Sequence, residues 1–277
     1  MIKNKRILVT GGAGSIGSEL VRQLAPNNKI FILDQNETGT FDLREELKQE
    51  GYWVHSRTGD VRDKDVVSDV FEDFKPQLVF HAAALKHVTP NEEYPEEAIR
   101  TNILGTLNVL QEAKRWECLE KFVFISTDKV INAHSIMGAT KRVGEILVRN
   151  QGKGFLAVRF GNVMGSRGSV IPLWQNQINR GKPLTVTDPN MERYMMSIPE
   201  AVRLVIEAGE KGQGGEVMIL DMGKPINILD LASQIVKGTN TGIKMIGTRK
   251  GETLDEKLMT LEEEAIAVKE GNFYVIK

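Results

Sequence analysis

The chain has 277 residues, of which 41% are hydrophobic and 26% charged, and its formal net charge is −1 at pH 7. This length suits a two-lobed enzyme, and the near-neutral charge excludes a general nucleic-acid-binding surface. The single cysteine, Cys118, excludes an intrachain disulfide and is interpreted as a small core residue. The sequence contains neither a signal-peptide core nor an apolar run of about 18 residues, so we expect a cytoplasmic chain without a membrane segment.

Short apolar runs alternate with helical patterns in the first part of the chain. The runs are rich in Val, Ile and Phe and show little polar alternation, which is typical of strands covered on both faces. The predicted strands are 6–10, 29–33, 52–57, 77–82, 121–126, 155–160 and 216–220. Repeated strand–helix alternation predicts an α/β fold with a doubly wound parallel sheet of the Rossmann type.

The regular alternation ends after residue 160, and this change predicts two lobes. Residues 161–194 are irregular and rich in Gly, Asn and Arg. We expect a Rossmann domain from 1–160 plus 195–222, and a smaller mixed α/β substrate-binding lobe from 161–194 plus 223–277. Because ligands bind beyond the carboxyl ends of parallel strands, functional residues should follow those ends.

A glycine-rich turn, TGGAGSIG, follows the first predicted strand and opens a helix. Its glycines allow a tight turn, close approach of backbone to a pyrophosphate, and close helix–strand packing. Asp34 ends the next strand, where a carboxylate binds ribose hydroxyls and favours NAD over NADP. The alternative is a glycine-rich turn that only packs. The residues predicted to hold the dinucleotide at this turn are Gly11, Gly14, Ser15, Ile16 and Gly17.

Two later strand ends also suit a dinucleotide. Asp60 and Val61 are placed to recognise an adenine, although Asp60 could instead cap the following helix. Three small residues follow the fourth strand, where the backbone must pass close to a flat cofactor. Asn102 is expected to bridge a helix and a strand near the cofactor. The further predicted cofactor-site residues are Asp60, Val61, Ala82, Ala83, Ala84 and Asn102.

Several motifs carry a family resemblance across nearly the whole chain. They are STDK, MGATKR, RFGNVMGSRGSVIP, MERYMMSIPEA and RKGETLDEKL. With them the chain resembles the extended short-chain dehydrogenases/reductases, and most closely the UDP-N-acetylglucosamine 4,6-dehydratases of polysaccharide biosynthesis. Longer members carry an amino-terminal membrane region, so the chain is interpreted as a soluble form or an excised catalytic domain. Met137 replaces the superfamily tyrosine, as it does in this subgroup, and RKGET replaces the usual Arg-Pro-Gly-Glu-Lys run.

The resemblance implies that NAD takes hydride from sugar C4, the C5 proton and the C6 hydroxyl are lost, and hydride returns to C6. Thr127 would bind the C4 oxygen, Asp128, protonated through burial, would donate to the leaving hydroxyl, and Lys129, neutral through a lowered pKa, would take the C5 proton. Lys141 lies one helical turn after Met137 and would bind the nicotinamide ribose. Which of Thr127, Asp128 or water takes the C4 hydroxyl proton stays open. The alternative is a helix cap followed by a surface lysine.

The later motifs imply the binding site of a UDP-sugar substrate. Arg193 is the candidate diphosphate clamp, and Arg249 with Glu252 would complete the site around the uridine ribose. Simpler roles are a surface ion pair for Arg193, a turn for Asn162 and a solvated charge for Glu252. The residues implied in substrate binding are Lys86, Asn162, Ser169, Val170, Ile171, Arg193, Arg249 and Glu252.

The remaining expectations concern metals, oligomers and other functions. The four histidines lack metal-ligand spacing, so no metal site is predicted. Helices within 91–115 and 137–150 could form a four-helix homodimer interface or simply pack on the sheet. A nucleotide-sugar C4 epimerase is the alternative enzyme, which the missing tyrosine disfavours. A non-catalytic protein that binds NAD or a nucleotide sugar is the third alternative.

Overall fold

A nine-stranded sheet organises the computed structural model, which describes residues 2–277. The strands are β1 (Arg6–Thr10), β2 (Lys29–Asp34), β3 (Val54–Thr58), β4 (Leu78–His81), β5 (Lys121–Ile125), β6 (Phe155–Arg159), β7 (Asn162–Met164), β8 (Leu184–Val186), β9 (Glu192–Arg193), β10 (Met195–Ser197), β11 (Val217–Leu220), β12 (Ile226–Asn227), β13 (Ile243–Met245), β14 (Val268–Glu270) and β15 (Phe273–Ile276). The helices are α1 (Ser15–Leu24), α2 (Glu37–Gln49), α3 (Lys64–Phe74), α4 (Val88–Glu93), α5 (Pro95–Ala98), α6 (Thr106–Arg115), α7 (Ile136–Arg149), α8 (Val170–Asn179), α9 (Ile198–Lys211), α10 (Ile228–Val236) and α11 (Leu261–Ile266), and Ile99–Gly105 form a π-helical stretch.

The strand order is β14-β15-β11-β6-β5-β4-β1-β2-β3. The strands from β3 to β11 pair in parallel, which confirms the predicted doubly wound Rossmann sheet. The central strands are buried along nearly their whole length, because helices cover the sheet. The chain direction across the sheet reverses between β1 and β4, so a cleft opens at their carboxyl ends.

The predicted strand 52–57 begins later, at Val54. The Tyr52 backbone N–H donates to the carbonyl of Leu47 at the end of α2 (2.8 Å), and Trp53 is 73% exposed. These residues therefore close the preceding helix and do not join the sheet.

The smaller lobe surrounds a second core. Short strand pairs β7–β10, β8–β13 and β9–β12 frame it, and α8 and α10 pack on it. Trp174 is fully buried there and its Nε1 donates to the carbonyl of Thr185 at 2.8 Å. The buried apolar residues of this core are Trp174, Leu184, Val186, Met191, Ile228 and Ala232.

The end of the chain departs from the predicted lobe boundary. The range 223–277 is expected in the smaller lobe, whereas β15 pairs antiparallel with β11 and β14 pairs with β15 at the edge of the main sheet. Phe273, Val275 and Ile276 are buried in the main core, and this burial joins the last strands to the Rossmann domain.

Cys118 is not a core residue, so its interpretation is wrong. It is partly exposed in the turn before β5, and its Sγ lies 3.6 Å from the carbonyl oxygens of Lys75 and Pro76. Separately, none of the helices formed by residues 2–277 combines the length and the apolar character needed to cross a bilayer.

Candidate active site

A cleft of about 980 Å³ lies beyond the carboxyl ends of the parallel strands and is lined by residues of both lobes. It brings together all predicted catalytic residues and all predicted substrate residues. The glycine turn after β1 and the residues that follow β4 form one wall of this cleft. Five predicted cofactor-site residues lie outside the lining, and these are Asp34, Asp60, Val61, Ala83 and Asn102.

The glycine turn fits a dinucleotide. Gly11 has a φ of +68°, and a Cβ atom there would lie 2.6 Å from the backbone nitrogen of Ala83. Only glycine permits this approach between the ends of β1 and β4. In the described structure α1 has no side-chain cap at Gly14 and no acidic residue in its first turn, which leaves its amino-terminal N–H groups for an anion.

Asp34 supports the glycine turn from behind. Its Oδ2 accepts from the Ala13 backbone nitrogen and its Oδ1 from that of Asn36, each at 2.8 Å. The carboxylate at the end of β2 therefore holds the turn in shape. Its predicted contact with a ribose stays a prediction.

Asp60 does not cap the following helix. It accepts from the Arg62 backbone nitrogen at 2.9 Å and from Arg62 Nε at 2.7 Å, whereas Asp63 caps α3. Val61 is buried against Gly105, where an added Cβ would lie 2.7 Å from its Cγ2. The Val61 side chain is therefore packed inside the protein, which leaves only its backbone for the predicted contact with an adenine.

Asn102 bridges two parts of the fold, but they are a loop and a helix, not the helix and strand that were expected. Its Oδ1 accepts from the Leu85 backbone nitrogen at 2.8 Å, and its Nδ2 donates to the Leu85 carbonyl and to Thr140 Oγ1, each at 3.0 Å. This residue of the π-helical stretch ties the loop after β4 to α7. Asn102 lies outside the cleft lining and holds the cleft wall in place.

The loop after β5 carries the predicted catalytic residues. Thr127 Oγ1 donates to Asp128 Oδ1 at 2.8 Å, and Asp128 is 1% exposed. Within the described chain, Asp128 Oδ2 is buried without a hydrogen-bond partner. A buried carboxylate oxygen without a donor is costly, so it marks a place where a ligand hydroxyl would be stabilised.

Lys129 connects three parts of the chain. Its Nζ donates to Asp128 Oδ1 at 3.1 Å, to Asn162 Oδ1 at 3.0 Å and to Glu256 Oε2 at 2.9 Å. Burial favours the neutral amine, but the carboxylates of Asp128 and Glu256 outweigh it and raise the pKa of Lys129. The expectation of a lowered pKa for Lys129 is therefore wrong for the surroundings that the structure gives it.

Glu256 also lies in the cleft in contact with Lys129, and the sequence analysis did not select it. Its side chain is 8% exposed, and its Oε2 also lies 3.3 Å from Arg193 Nε. Burial, the largest effect, raises the pKa of Glu256, while the Lys129 charge opposes that shift. The only signal was its place within RKGETLDEKL.

Met137 and Lys141 lie one turn apart on α7, which Ser135 caps by accepting from the Gly138 backbone nitrogen. Met137 is 3% exposed and Lys141 6%. Lys141 Nζ lies 3.9 Å from the centroid of the Phe124 ring. Burial lowers the pKa of Lys141 to about 7, with Glu145 opposing the shift, so this amine can exchange a proton near neutrality.

Arg193 differs from a free diphosphate clamp. Its Nη1 donates to the carbonyls of Glu192 (2.7 Å) and Leu254 (2.9 Å), and its Nη2 to that of Thr253 (2.7 Å). It is 5% exposed, so it is not in a surface ion pair either. Most of its donors hold the segment before Glu256 against β9.

The other predicted substrate residues lie around the outer part of the cleft. Lys86 Nζ donates to Ser166 Oγ at 3.3 Å, and the Arg249 backbone nitrogen donates to Glu252 Oε2 at 3.0 Å. Ser169 precedes α8, and in the region described its buried Oγ has no partner. Val170 and Ile171 begin α8 and add apolar surface. These positions suit a nucleotide, and their roles stay predictions.

A buried ion cluster lies behind the loop that carries the predicted catalytic residues. Arg159, at the end of β6, contacts Glu145 Oε2 of α7 at 2.9 Å and Glu263 Oε2 of α11 at 2.7 Å. Its Nη1 also donates to the Leu258 carbonyl at 2.9 Å. Arg159 and Glu145 are fully buried, so the cluster fixes the returning carboxyl-terminal segment behind the site.

Comparison with known proteins gives the family. Residues 7–277 match the polysaccharide biosynthesis protein family. The chain belongs to that family. The capsular polysaccharide biosynthesis protein CapD of Staphylococcus aureus is 49% identical over 95% of this chain but only 46% of CapD, so the chain spans about half of that relative. A UDP-glucose 4-epimerase of Rickettsia typhi is 39% identical over 100% of this chain and 84% of the epimerase.

Solved structures support the same relationship. The chain superposes on Pen from Bacillus thuringiensis with a TM-score of 0.92 and 37% identity, covering 99% of this chain and 88% of Pen. It superposes on the UDP-glucose 4-epimerase of Thermus thermophilus in complex with NAD with a TM-score of 0.80 and 25% identity, covering 94% of this chain and 92% of the epimerase.

Among residues 2–277, no group of three or more His, Cys, Asp or Glu side chains could hold a metal ion.

Proposed function

We propose that this chain catalyses the NAD-dependent 4,6-dehydration of a UDP-hexose, with UDP-N-acetylglucosamine as the substrate, in surface polysaccharide or glycan biosynthesis. The observation that carries the proposal is the contact of Asp128 with Lys129 beside a buried Met137. A carboxyl and an amine next to each other can move the two protons that a dehydration requires. The similarity to a UDP-glucose 4-epimerase supports the nucleotide-sugar part, and the dinucleotide-type turn and the similarity to an NAD-bound epimerase support the NAD part.

Asp128 would handle the protons of the sugar hydroxyls. NAD, held by the glycine turn and Lys141, would supply a reversible hydride acceptor for the sugar. Asp128 Oδ2 would take the proton of the C4 hydroxyl while Thr127 binds the same oxygen. The protonated carboxyl would then donate to the departing C6 hydroxyl, which leaves as water. Asp128 therefore needs no proton at the start, and the one it gains leaves with the product water.

Lys129 would act on the carbon between these positions. As a neutral amine, its Nζ would take the C5 proton once C4 is a ketone, and would give a proton back to C5 when the hydride reaches C6. Lys141 would hold the nicotinamide ribose and place a positive charge near the C4 oxygen. Its pKa of about 7 allows that charge at neutral pH.

The substrate's nucleotide would occupy the outer cleft. Among the predicted substrate residues of the described chain, Lys86 and Arg249 are the basic side chains with no carboxylate within 4.0 Å. Their positive charges suit a diphosphate. Glu252 would bind the uridine ribose, and Val170 and Ile171 would contact the base. Arg193 would act indirectly, because it mainly holds the segment that carries Glu256.

Product mass tests the proposal directly. Purified protein is incubated with NAD and UDP-N-acetylglucosamine, and the nucleotide-sugar product is analysed by mass spectrometry and NMR. The proposal expects a product that has lost one water and carries a 4-keto-6-deoxy sugar, with C5 configuration retained. Nucleotide-sugar binding without any product would contradict it and favour a non-catalytic binding protein.

A C4 epimerase is the second candidate, favoured by the 39% identity to the Rickettsia typhi UDP-glucose 4-epimerase over this whole chain. An epimerase returns the hydride to C4, so its product keeps the mass of the substrate. The same incubation therefore distinguishes the two enzymes. The absence of a phenol at position 137 supports the dehydratase.

A further inference from the structure

Glu256 reaches the catalytic loop from a distant part of the chain. Its Oε2 lies 2.9 Å from Lys129 Nζ and 3.3 Å from Arg193 Nε, inside the cleft. Neither the family motif nor the expected chemistry assigns it a role. Its contact with the predicted base calls for a physical explanation.

The surroundings of Lys129 match its protonated form. An ammonium has three N–H donors and no lone pair, and three oxygen acceptors lie within 3.1 Å of Nζ. Two of these acceptors are carboxylates, on Asp128 and Glu256. A neutral amine would leave one acceptor without a donor, and its lone pair would point at an oxygen. The geometry therefore favours the form that cannot accept a proton.

The position of Glu256 is fixed from both sides. Before it, Arg193 donates to the carbonyls of Thr253 and Leu254. After it, the buried Arg159 donates to the carbonyl of Leu258. Two buried guanidinium groups thus hold the short segment that presents this carboxylate to Lys129.

We propose that Glu256 is a positioning residue that holds Lys129 as a fully hydrogen-bonded ammonium, so that the amine becomes a base only after this contact is given up. The consequence for turnover rests on the proposed dehydratase function, whereas the contact and the charge state of Lys129 do not. The charged groups that face Lys129 are Asp128 and Glu256 directly, with Lys86 and Arg193 as the neighbouring cations.

Chemical labelling of Lys129 tests the inference without any turnover. Wild-type protein, Glu256→Gln and the matched control Asp255→Asn are treated with trace acetic anhydride over a pH series, and acetylation of Lys129 is measured by peptide mass spectrometry. Removing one of two carboxylates should lower the half-labelling pH of Lys129 by about one to three pH units. Glu256→Asp should restore most of the wild-type value, and Asp255→Asn should leave it unchanged.

Two results would overturn the inference: an unchanged half-labelling pH in Glu256→Gln, or an equal shift in Asp255→Asn. If Glu256→Gln does not fold, the wild-type protein decides. There, Lys129 should half-label at a higher pH than Lys250, whose side chain is 79% exposed, and a value at or below that of Lys250 contradicts the proposal.

Turnover supplies the second readout. If the chain is a dehydratase, the rising limb of kcat against pH should move to lower pH in Glu256→Gln by the same amount as the labelling. A rising limb that stays in place while the labelling shifts would separate Lys129 from the base role. Absence of dehydration by the wild-type protein would contradict the proposed function, whereas the labelling experiment would still test the contact between Glu256 and Lys129.

Discussion

At the scale of single residues, Asp128 and Lys129 differ in how their polar atoms are paired. The carboxyl has one oxygen engaged by Thr127 and Lys129 and one oxygen free for a ligand in the described structure. The amine is surrounded by acceptors. The carboxylate is therefore open to a ligand hydroxyl, whereas the surroundings of the amine favour its protonated form.

Asp128→Asn and Lys129→Ala should each reduce kcat for dehydration by about 10²–10⁴-fold, because each removes one proton-transfer group. Both variants should fold and bind NAD, since neither residue belongs to the glycine turn. Steady-state kinetics and NAD titration check this. Lys257→Ala, in the same cleft, is the control and should keep wild-type turnover; wild-type turnover in either test variant would remove that residue from the mechanism.

Lys141 gives a prediction about pH and stability. Burial lowers its folded-state pKa from 10.5 to about 7, so its charge opposes folding fully below pH 7, and the penalty fades as the pH rises towards 10.5. Lys141→Met should therefore stabilise the cofactor-free protein by about 2–4 kcal/mol at pH 7. This gain should shrink at higher pH.

Denaturant unfolding of Lys141→Met at several pH values measures this effect. Lys114→Met, at an exposed position of α6, is the matched control and should show no pH-dependent difference from the wild type. A gain for Lys141→Met that grows as the pH rises from 7 to 10 would contradict the assignment of a buried, weakly basic amine.

Sequence reasoning placed Thr127, Asp128 and Lys129 in the cleft because STDK follows a strong apolar strand and precedes a recognisable helix motif. Their catalytic roles stay predictions. The same reasoning did not find the charge state of Lys129, because that depends on Glu256, 127 residues further along the chain. Nothing in the local pattern of residues 249–257 indicates which carboxylate returns to the cleft. Long-range electrostatics of this kind appears only when the chain is folded.

At the scale of elements, the ion cluster around Arg159 joins β6, α7 and α11. Arg159 in the apolar run FLAVRF is the sequence signal of such a cluster, because a charge inside a buried strand requires partners. Burial works against the Glu263 carboxylate, but hydrogen bonds from Arg159 outweigh it and lower the pKa of Glu263 to about 2. The cluster therefore attaches the short helix α11 to the sheet.

Glu263→Gln should destabilise the protein by about 2–4 kcal/mol at pH 7, because it leaves part of the Arg159 charge without a partner. The folded-state pKa lies below the ordinary 4.5, so the wild-type advantage is present above that pH and is lost as the pH falls towards 2. Urea unfolding at pH 7 and pH 3 measures it.

The control for that experiment is Glu262→Gln, which changes an exposed carboxylate on the same helix and should have little effect at either pH. An equal loss of stability for both variants, or a loss for Glu263→Gln that is larger at pH 3 than at pH 7, would show that Glu263 is not held by Arg159.

Periodicity located the elements better than their ends or partners. The apolar strands and α1 were predictable because their burial is local and nearly continuous. Three features could not be predicted from the local pattern. The start of β3 depends on how α2 ends, and the residue that caps α3 is Asp63, not Asp60. The strand β15 depends on an antiparallel partner 53 to 59 residues earlier in the chain.

At the scale of the whole molecule, exposed apolar side chains mark the helices of the predicted homodimer. These side chains lie in the turn before α5, in the π-helical stretch and on α7, within the ranges predicted for an interface, and they are Tyr94, Ile99, Leu104, Val143 and Ile146. Burying them against a second copy would remove apolar surface from water. The oligomeric state itself stays a prediction.

Ile146→Glu should convert the predicted dimer into a monomer, because it places a charge within the expected interface. Size-exclusion chromatography with light scattering measures the mass. Phe41→Glu, which changes an exposed apolar residue of α2 away from these helices, is the control and should keep the wild-type mass. A monomeric wild type would contradict the predicted interface.

The dependence of Lys129 on Glu256 has a consequence for the order of folding. The glycine turn directly follows β1, whereas the contact between Lys129 and Glu256 joins residues that are 127 positions apart in the chain. Closing so long a loop costs conformational entropy, so we expect this contact to form late on the folding pathway. A folding chain can thus shape its dinucleotide pocket before its amine acquires both carboxylate neighbours.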